Sequence, residues 1–201
     1  MPYKLNPFTG NFDYYEDLAK GNYQYQGVNS YNSFMLNCGF AGASTNSIST
    51  NLLLAFPIFV QQDVSIDAIR IGISVAGAAG NSVFGLYSAE NGLPKDKLFQ
   101  TTQFNNAITG YQVINVGTQV LTKGIYFVGY LSSSIPSLIS VPVTAVPNVL
   151  GYKLNSGDGP SMLMSRVLPY TATLPAVWGT ATTFYTTSNV NFIAQVEFKI
   201  L

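Results

Sequence analysis

Apolar and polar positions alternate with a period of two along much of this chain, and no stretch carries a convincing amphipathic helical period. The clearest case is Val64–Val75. There Ile69, Ile71, Ile73 and Val75 share one parity, and Arg70, Gly72 and Ser74 the other. This is the signature of a strand with one face buried. Residues 124–131 read differently: Ile125, Phe127, Gly129 and Leu131 form one face, and Tyr126, Val128 and Tyr130 the other. Both faces are apolar, which places this strand centrally in its sheet. Further strands are predicted at 51–61, 82–89, 97–103, 110–116, 148–154, 180–187 and 190–201. Residues 76–81 form a Gly/Ala turn. Residues 90–94 form another, because Asn91-Gly92 tolerates positive φ and Pro94 fixes its own. Residues 132–147 and 155–175 read as long excursions, which in compact domains are usually functional or interfacial.

Regular short strands separated by Gly/Pro turns predict an all-β fold, a single antiparallel β-sandwich or jelly roll. Residues 1–30 keep neither period. They hold Tyr3, Tyr14, Tyr15, Tyr23 and Tyr25 together with Pro2 and Pro7. They read as an extended N-terminal arm with one short helical turn near 13–20, followed by a sandwich domain over 31–201. Disordered tails are poor in aromatic residues. The rings therefore suit a segment that docks, either on a partner or on its own domain.

Composition narrows the function. Nine Lys+Arg balance nine Asp+Glu, which argues against nucleic acid as the main partner. Without histidine there is no Ser-His-Asp or Cys-His catalysis and no His-ligated zinc. Cys38 has no base or cation nearby in sequence and reads as a small buried hydrophobe. Charged residues make up 9% of the chain, against about 25% in ordinary soluble domains. They are missing altogether between Lys20 and Asp63, Lys123 and Lys153, and Arg166 and Glu197. The longest apolar run, residues 52–60, is interrupted by Pro57 and falls short of the ~20 residues of a membrane helix. No membrane insertion is expected, and the opening residues have no apolar core of a secretory signal. A neutral, hydrogen-bonding surface favours association, so a homo-oligomer is expected, a trimer in the first instance.

Candidate chemistry is sparse. Asp13, Glu16 and Asp17 lack the spacing of a calcium loop, and residues 155–159 supply only Asp158. The acids available for glycoside hydrolysis are Asp63, Asp67, Glu90, Asp96, Asp158 and Glu197, and no spacing pairs them. The expectation is a protein without catalytic residues, metal or cofactor. Tyr170 and Trp178, with Phe184 nearby in sequence, have rings able to stack on sugars or to fill a core or interface.

Two stretches carry a resemblance. The opening, Lys4-Leu-Asn-Pro-Phe-Thr-Gly-Asn-Phe-Asp13, resembles the start of many tailed-bacteriophage tail-fibre and virion structural proteins. From Phe56 to Leu131 the order is the run with Pro57, the Ile-rich strand, Gly85-Leu-Tyr87, Asn91-Gly-Leu-Pro94 with Leu98, and Leu121-Thr-Lys-Gly-Ile-Tyr-Phe127. That order resembles a β-sandwich module of phage fibre and receptor-binding proteins. Together they cover under half of the chain. The resemblance implies a non-enzymatic component of the virion surface, attached to other virion proteins through Tyr3, Leu5, Pro7, Phe8, Phe12, Tyr14 and Tyr15. Loops of the sandwich, with Tyr170 and Trp178, would then meet a host-surface glycan or protein. The chain departs from long fibres in having neither repeats nor a coiled-coil stalk. A capsid decoration protein, such as a head fibre or cement subunit, is the alternative, and a glycan depolymerase a more distant one.

Overall fold

The computed structural model describes residues 50–140, 163–179 and 194–201 throughout, together with short strands at 3–5, 12–14, 31–32, 44–47, 141–142, 183–184 and 192–193. All the regular structure described is strand, and every strand pair is antiparallel. The fold is a β-sandwich of two seven-stranded sheets, with a separate two-stranded sheet near the N-terminus.

The small sheet joins β1 (Tyr3–Leu5) to β2 (Phe12–Tyr14), with Tyr3 opposite Tyr14 and Leu5 opposite Phe12. The first large sheet contains β3 (Tyr31–Asn32), β4 (Ser44–Ser47), β6 (Val64–Val75), β10 (Gly110–Leu121), β12 (Ser137–Pro142), β15 (Phe192–Ala194) and β16 (Val196–Ile200). The second contains β5 (Leu52–Val60), β7 (Asn81–Glu90), β8 (Leu93–Gln100), β9 (Phe104–Asn105), β11 (Gly124–Ser132), β13 (Met164–Val167) and β14 (Thr183–Phe184). The chain changes sheet at nearly every connection from β5 to β13, which interleaves the two layers.

Strand β6 organises the first sheet. It pairs along its length with β10 on one edge, and with β16 and then β12 on the other. Its inward face is Val64 and Ile66, then Ile69, Ile71 and Ile73. The parity switches because Ile200 pairs with Ile66 while Lys199 pairs with Ala68, leaving Asp67 as an extra residue. Opposite, Leu52, Leu54, Phe56, Ile58 and Val60 of β5 with Phe84, Leu86, Val128 and Tyr130 supply the other inner face. Burial of this set provides the main hydrophobic stabilisation.

The second sheet is buried on its outer face too. Leu53, Ala55, Val83, Tyr87, Phe127, Leu131 and Met164 form a second cluster there with Leu174 and Trp178. Both faces of β5, and of β11 from Phe127 onward, are covered, while Ile125 at the start of β11 is exposed; β11 lies inside the sheet, in keeping with the central position expected for 124–131. Pro57 sits in β5 beyond the last residue paired with β13, where a missing N–H interrupts no ladder on that side.

Several boundaries differ from expectation. The turn expected over 90–94 is only Asn91 and Gly92, at φ 51° and 77°, so Leu93 and Pro94 already belong to β8. The stretches 132–147 and 155–175 are not simple excursions, since they contain β12 and β13. The final strand is broken at Gln195, whose N–H bonds to Ile139 O as the chain passes from β12 to β6. Asp13 and Tyr14, expected in a helical turn, lie in β2. The rest of that turn and the strand expected at 148–154 fall outside the described residues.

Candidate functional site

Residues 168–179 form a strap across the outer face of the second sheet. Gly85 on β7 and Gly129 on β11 face each other and leave a shallow slot. A Cβ on Gly85 would lie 2.6 Å from the Leu174 side chain, and one on Gly129 would lie 2.7 Å from the Tyr87 ring. Glycine in these strand interiors therefore marks close approach. Tyr87 lies across the slot, and Trp178 meets it edge-on at 5.5 Å between centroids.

Polar contacts fasten the strap along its length. Leu168 N–H bonds to Asn51 O at 3.0 Å and Tyr170 N–H to Asn51 Oδ1 at 3.0 Å. Gln100 accepts from Leu174 N–H and donates to Ala172 O. Lys97 Nζ donates to Leu174 O at 2.7 Å, and burial holds its ammonium below the usual lysine pKa. The Tyr87 hydroxyl donates to Pro175 O at 3.0 Å. Backbone bonds from Lys97 N–H to Ala176 O and from Trp178 N–H to Lys95 O dock the strap on the edge of β8. Arg166 donates to Trp178 O where the strap ends.

This geometry separates the two aromatic residues considered for ligand contact. Trp178 is fully buried, so its ring fills the second core and offers no face to a sugar. Tyr170 is half-buried at the surface, and its hydroxyl donates to Gln103 Oε1 at 2.9 Å. Partial burial raises its pKa above the ordinary tyrosine value. Pro169, Thr171, Ala172 and Thr173 beside it are exposed. Tyr170 with Gln103 is thus a ring and an amide side by side on a fixed loop, a combination suited to shallow contact with a neutral polar ligand.

The outer face of the first sheet carries a second polar and aromatic group. Arg70 pairs with Glu197 at 2.5 Å, and Gln195 donates to the other carboxylate oxygen at 3.2 Å. Lys199 pairs with Asp67 at 2.9 Å. Tyr31 and Tyr111 flank the Arg70 guanidinium.

The acids weighed for hydrolysis fall in several places, two of them on one face. Asp67 and Glu197 are ion-paired on this outer face, and Glu90 pairs with Lys95 beside the β7–β8 turn. Asp63 accepts from Lys123 N–H, and the Asp96 N–H bonds to Ser88 Oγ. Asp158 lies outside the described residues. Among the described residues, no three His, Cys, Asp or Glu side chains converge on a metal position.

Of the expected attachment residues, Tyr3, Leu5, Phe12 and Tyr14 fall in the two-stranded sheet, whose strands pair only with each other among the described residues. Pro7, Phe8 and Tyr15 lie outside the described residues, as do Cys38 and the acids Glu16 and Asp17. Sequence reasoning missed Gln103, which lies 67 residues from Tyr170, and the glycine pair. Two isolated glycines inside apolar strands were the available signal. No protein-family model and no curated protein matches this chain.

Proposed function

We propose that this protein is a non-enzymatic structural component of a bacteriophage particle, of tail-fibre or receptor-binding type. Its N-terminal segment attaches it to other virion proteins, and the sandwich presents a fixed surface to the host. The observation that carries this reading is that, among the described residues, β1 and β2 pair with each other and with no strand of either sandwich sheet. These strands hold the residues of the phage-like opening, and a two-stranded sheet of this length has marginal stability unless something covers it. The sandwich behind it has its own two-layered core.

The host-facing surface in this reading is the strap around Tyr170 and Gln103. It is fastened to the sheet beneath, so little ordering is left for ligand binding to impose. An uncharged site of this kind suits a neutral glycan better than a phosphorylated or strongly anionic one.

Deleting residues 1–28 tests the attachment half of the reading. The truncated chain is expected to fold with an unchanged unfolding transition and to be missing from purified particles. A truncated chain that fails to fold would place the segment within the domain and remove its role as an anchor.

A further inference from the structure

Strands β7 and β8 are joined by two residues. Glu90 pairs with Leu93, and between them Asn91 and Gly92 have φ of 51° and 77°. Two positive φ values in a two-residue loop define a type I′ turn. Asn91 is exposed, and it is the only asparagine of the chain followed by glycine. That dipeptide is the most labile setting for an asparagine side chain, because glycine has no Cβ to shield its own nitrogen. The Gly92 nitrogen attacks Cγ of Asn91. A bond forms from nitrogen to Cγ, the bond from Cγ to the side-chain nitrogen breaks, and ammonia leaves with the proton of the Gly92 N–H. Water then opens the five-membered imide at either carbonyl. One opening gives aspartate. The other gives isoaspartate, whose main chain runs through the former side chain and is one carbon longer.

The closed turn holds this attack back. Type I′ geometry sets ψ of Asn91 at about +30°. The Gly92 nitrogen then lies nearly opposite Cβ about the Cα–C bond, and the attack needs the two on the same side. Conversion therefore requires the turn to open. The same turn sets the register of β8, because turn type and loop length fix which residues pair in a hairpin. Beyond it the ladder is irregular, shifting between Leu86 and Tyr87 and again between Tyr87 and Ala89. The strap rests on this stretch. Lys95 O accepts from Trp178 N–H, Lys97 N–H donates to Ala176 O, and Lys97 Nζ donates to Leu174 O. We propose that Asn91 is a site of spontaneous covalent modification, guarded by its own turn, and that the isoaspartyl product loosens the strap. An added main-chain carbon does not fit between Glu90 and Leu93 with type I′ dihedrals. Leu93 to Lys97 then shift against β7, and the bonds to Ala176 and Trp178 shift with them. The aspartyl product keeps the normal backbone and leaves the strap in place. Water is the only co-reactant, and the inference does not depend on the phage reading.

Ageing the full chain in warm, mildly alkaline buffer tests it, once folded and once unfolded in urea, with peptide mapping by mass spectrometry. In urea Asn91 is expected to be the first asparagine converted, gaining about 1 Da as two separable products. In the folded chain its conversion is expected to be at least about tenfold slower. Folded chain enriched in the isoaspartyl form is expected to show increased acrylamide quenching of Trp178. Asn91→Gly tolerates the positive φ and has no side-chain amide, so its quenching is expected to stay constant through ageing. Asn91→Asp has the charge without the longer main chain and is expected to match the fresh parent protein. Equal rates in the folded and unfolded chain, or another asparagine converting before Asn91 in urea, would overturn the proposal. So would an isoaspartyl form whose Trp178 is as shielded as in the fresh protein, an Asn91→Asp chain quenched as strongly as the isoaspartyl one, or an Asn91→Gly chain that ages like the parent.

Discussion

The guanidinium of Arg70 lies 4.0 Å from the ring centroid of Tyr31 and 4.8 Å from that of Tyr111. One side chain on β6 thereby ties to β3 through Tyr31, to β10 through Tyr111 and to β16 through Glu197. Tyr31 belongs to the first described strand in sequence that joins either sandwich sheet. Arg70→Met keeps the apolar stem and removes both the stacking and the partner of Glu197, whose side chain is only 14% exposed. The expected loss is about 1–2 kcal/mol in urea unfolding, with faster exchange at residues 31–32. Arg70→Lys keeps the charge without the planar fork and falls between the two. Unchanged exchange at 31–32 would show that the stack does not hold β3.

Trp178 is the only tryptophan, so it reports on the strap directly. Its emission is expected to be blue-shifted and weakly quenched by acrylamide in the native protein, moving to the red on unfolding. Gly129→Ala pushes a methyl group into the Tyr87 ring and is expected to cost about 1–3 kcal/mol and increase quenching of Trp178. A substitution that leaves quenching untouched would mean the ring pair does not depend on the glycine slot.

Asn106 joins three segments at one end of the sandwich. Its Oδ1 accepts from Ser82 at 2.7 Å, and its Nδ2 donates to Ser132 and Ser134 at 2.9 and 2.8 Å. The Ser82 hydroxyl also lies 2.9 Å from that of Tyr130. Asn106 and these three serines are buried. Asn106→Leu has similar size and strips partners from buried hydroxyls. The expected loss is about 2–4 kcal/mol by denaturant titration. Ser134→Ala, which removes one peripheral member, is expected to cost about 1 kcal/mol.

Stability should fall in alkali. Burial pushes the Tyr130 hydroxyl up to about 12, and burial also raises Tyr87. An unfolded tyrosine ionises near pH 10, so above that pH the unfolded chain has lost protons that the folded chain retains. The protons bound by the unfolded state then number fewer, and unfolding becomes easier as pH rises toward 12. Each such group contributes a slope of about 1.4 kcal/mol per pH unit in that window. Urea midpoints between pH 9 and 12 should decline less steeply for Tyr130→Phe than for the parent chain. Identical slopes would remove Tyr130 from the cause.

The sandwich was legible because its inner faces follow a plain rule. Ile69, Ile71 and Ile73 alternate as a half-buried strand must, and the Asn91-Gly92 turn follows from dihedral preferences alone. The parity switch at Asp67 was not legible, because it depends on the register of β16 on a distant part of the chain. Strand β12 was hidden by Pro136 just before it and Pro142 at its end, and β13 by being only four residues long. At the candidate site, Tyr170 and Trp178 are both strap aromatics in the sequence. Which of them faces water is decided by Tyr87, Gly85 and Gly129 on another layer.

As proposed above, this chain is part of a virion. Immunogold labelling of intact particles with an antibody raised against residues 31–201 tests it most directly. Gold is expected at the end of the tail. Gold over the head would instead select the capsid-decoration role and redirect the search for the arm's contacts to the capsid. Particles that carry no gold, from a preparation in which the antibody binds the purified protein, would contradict the account.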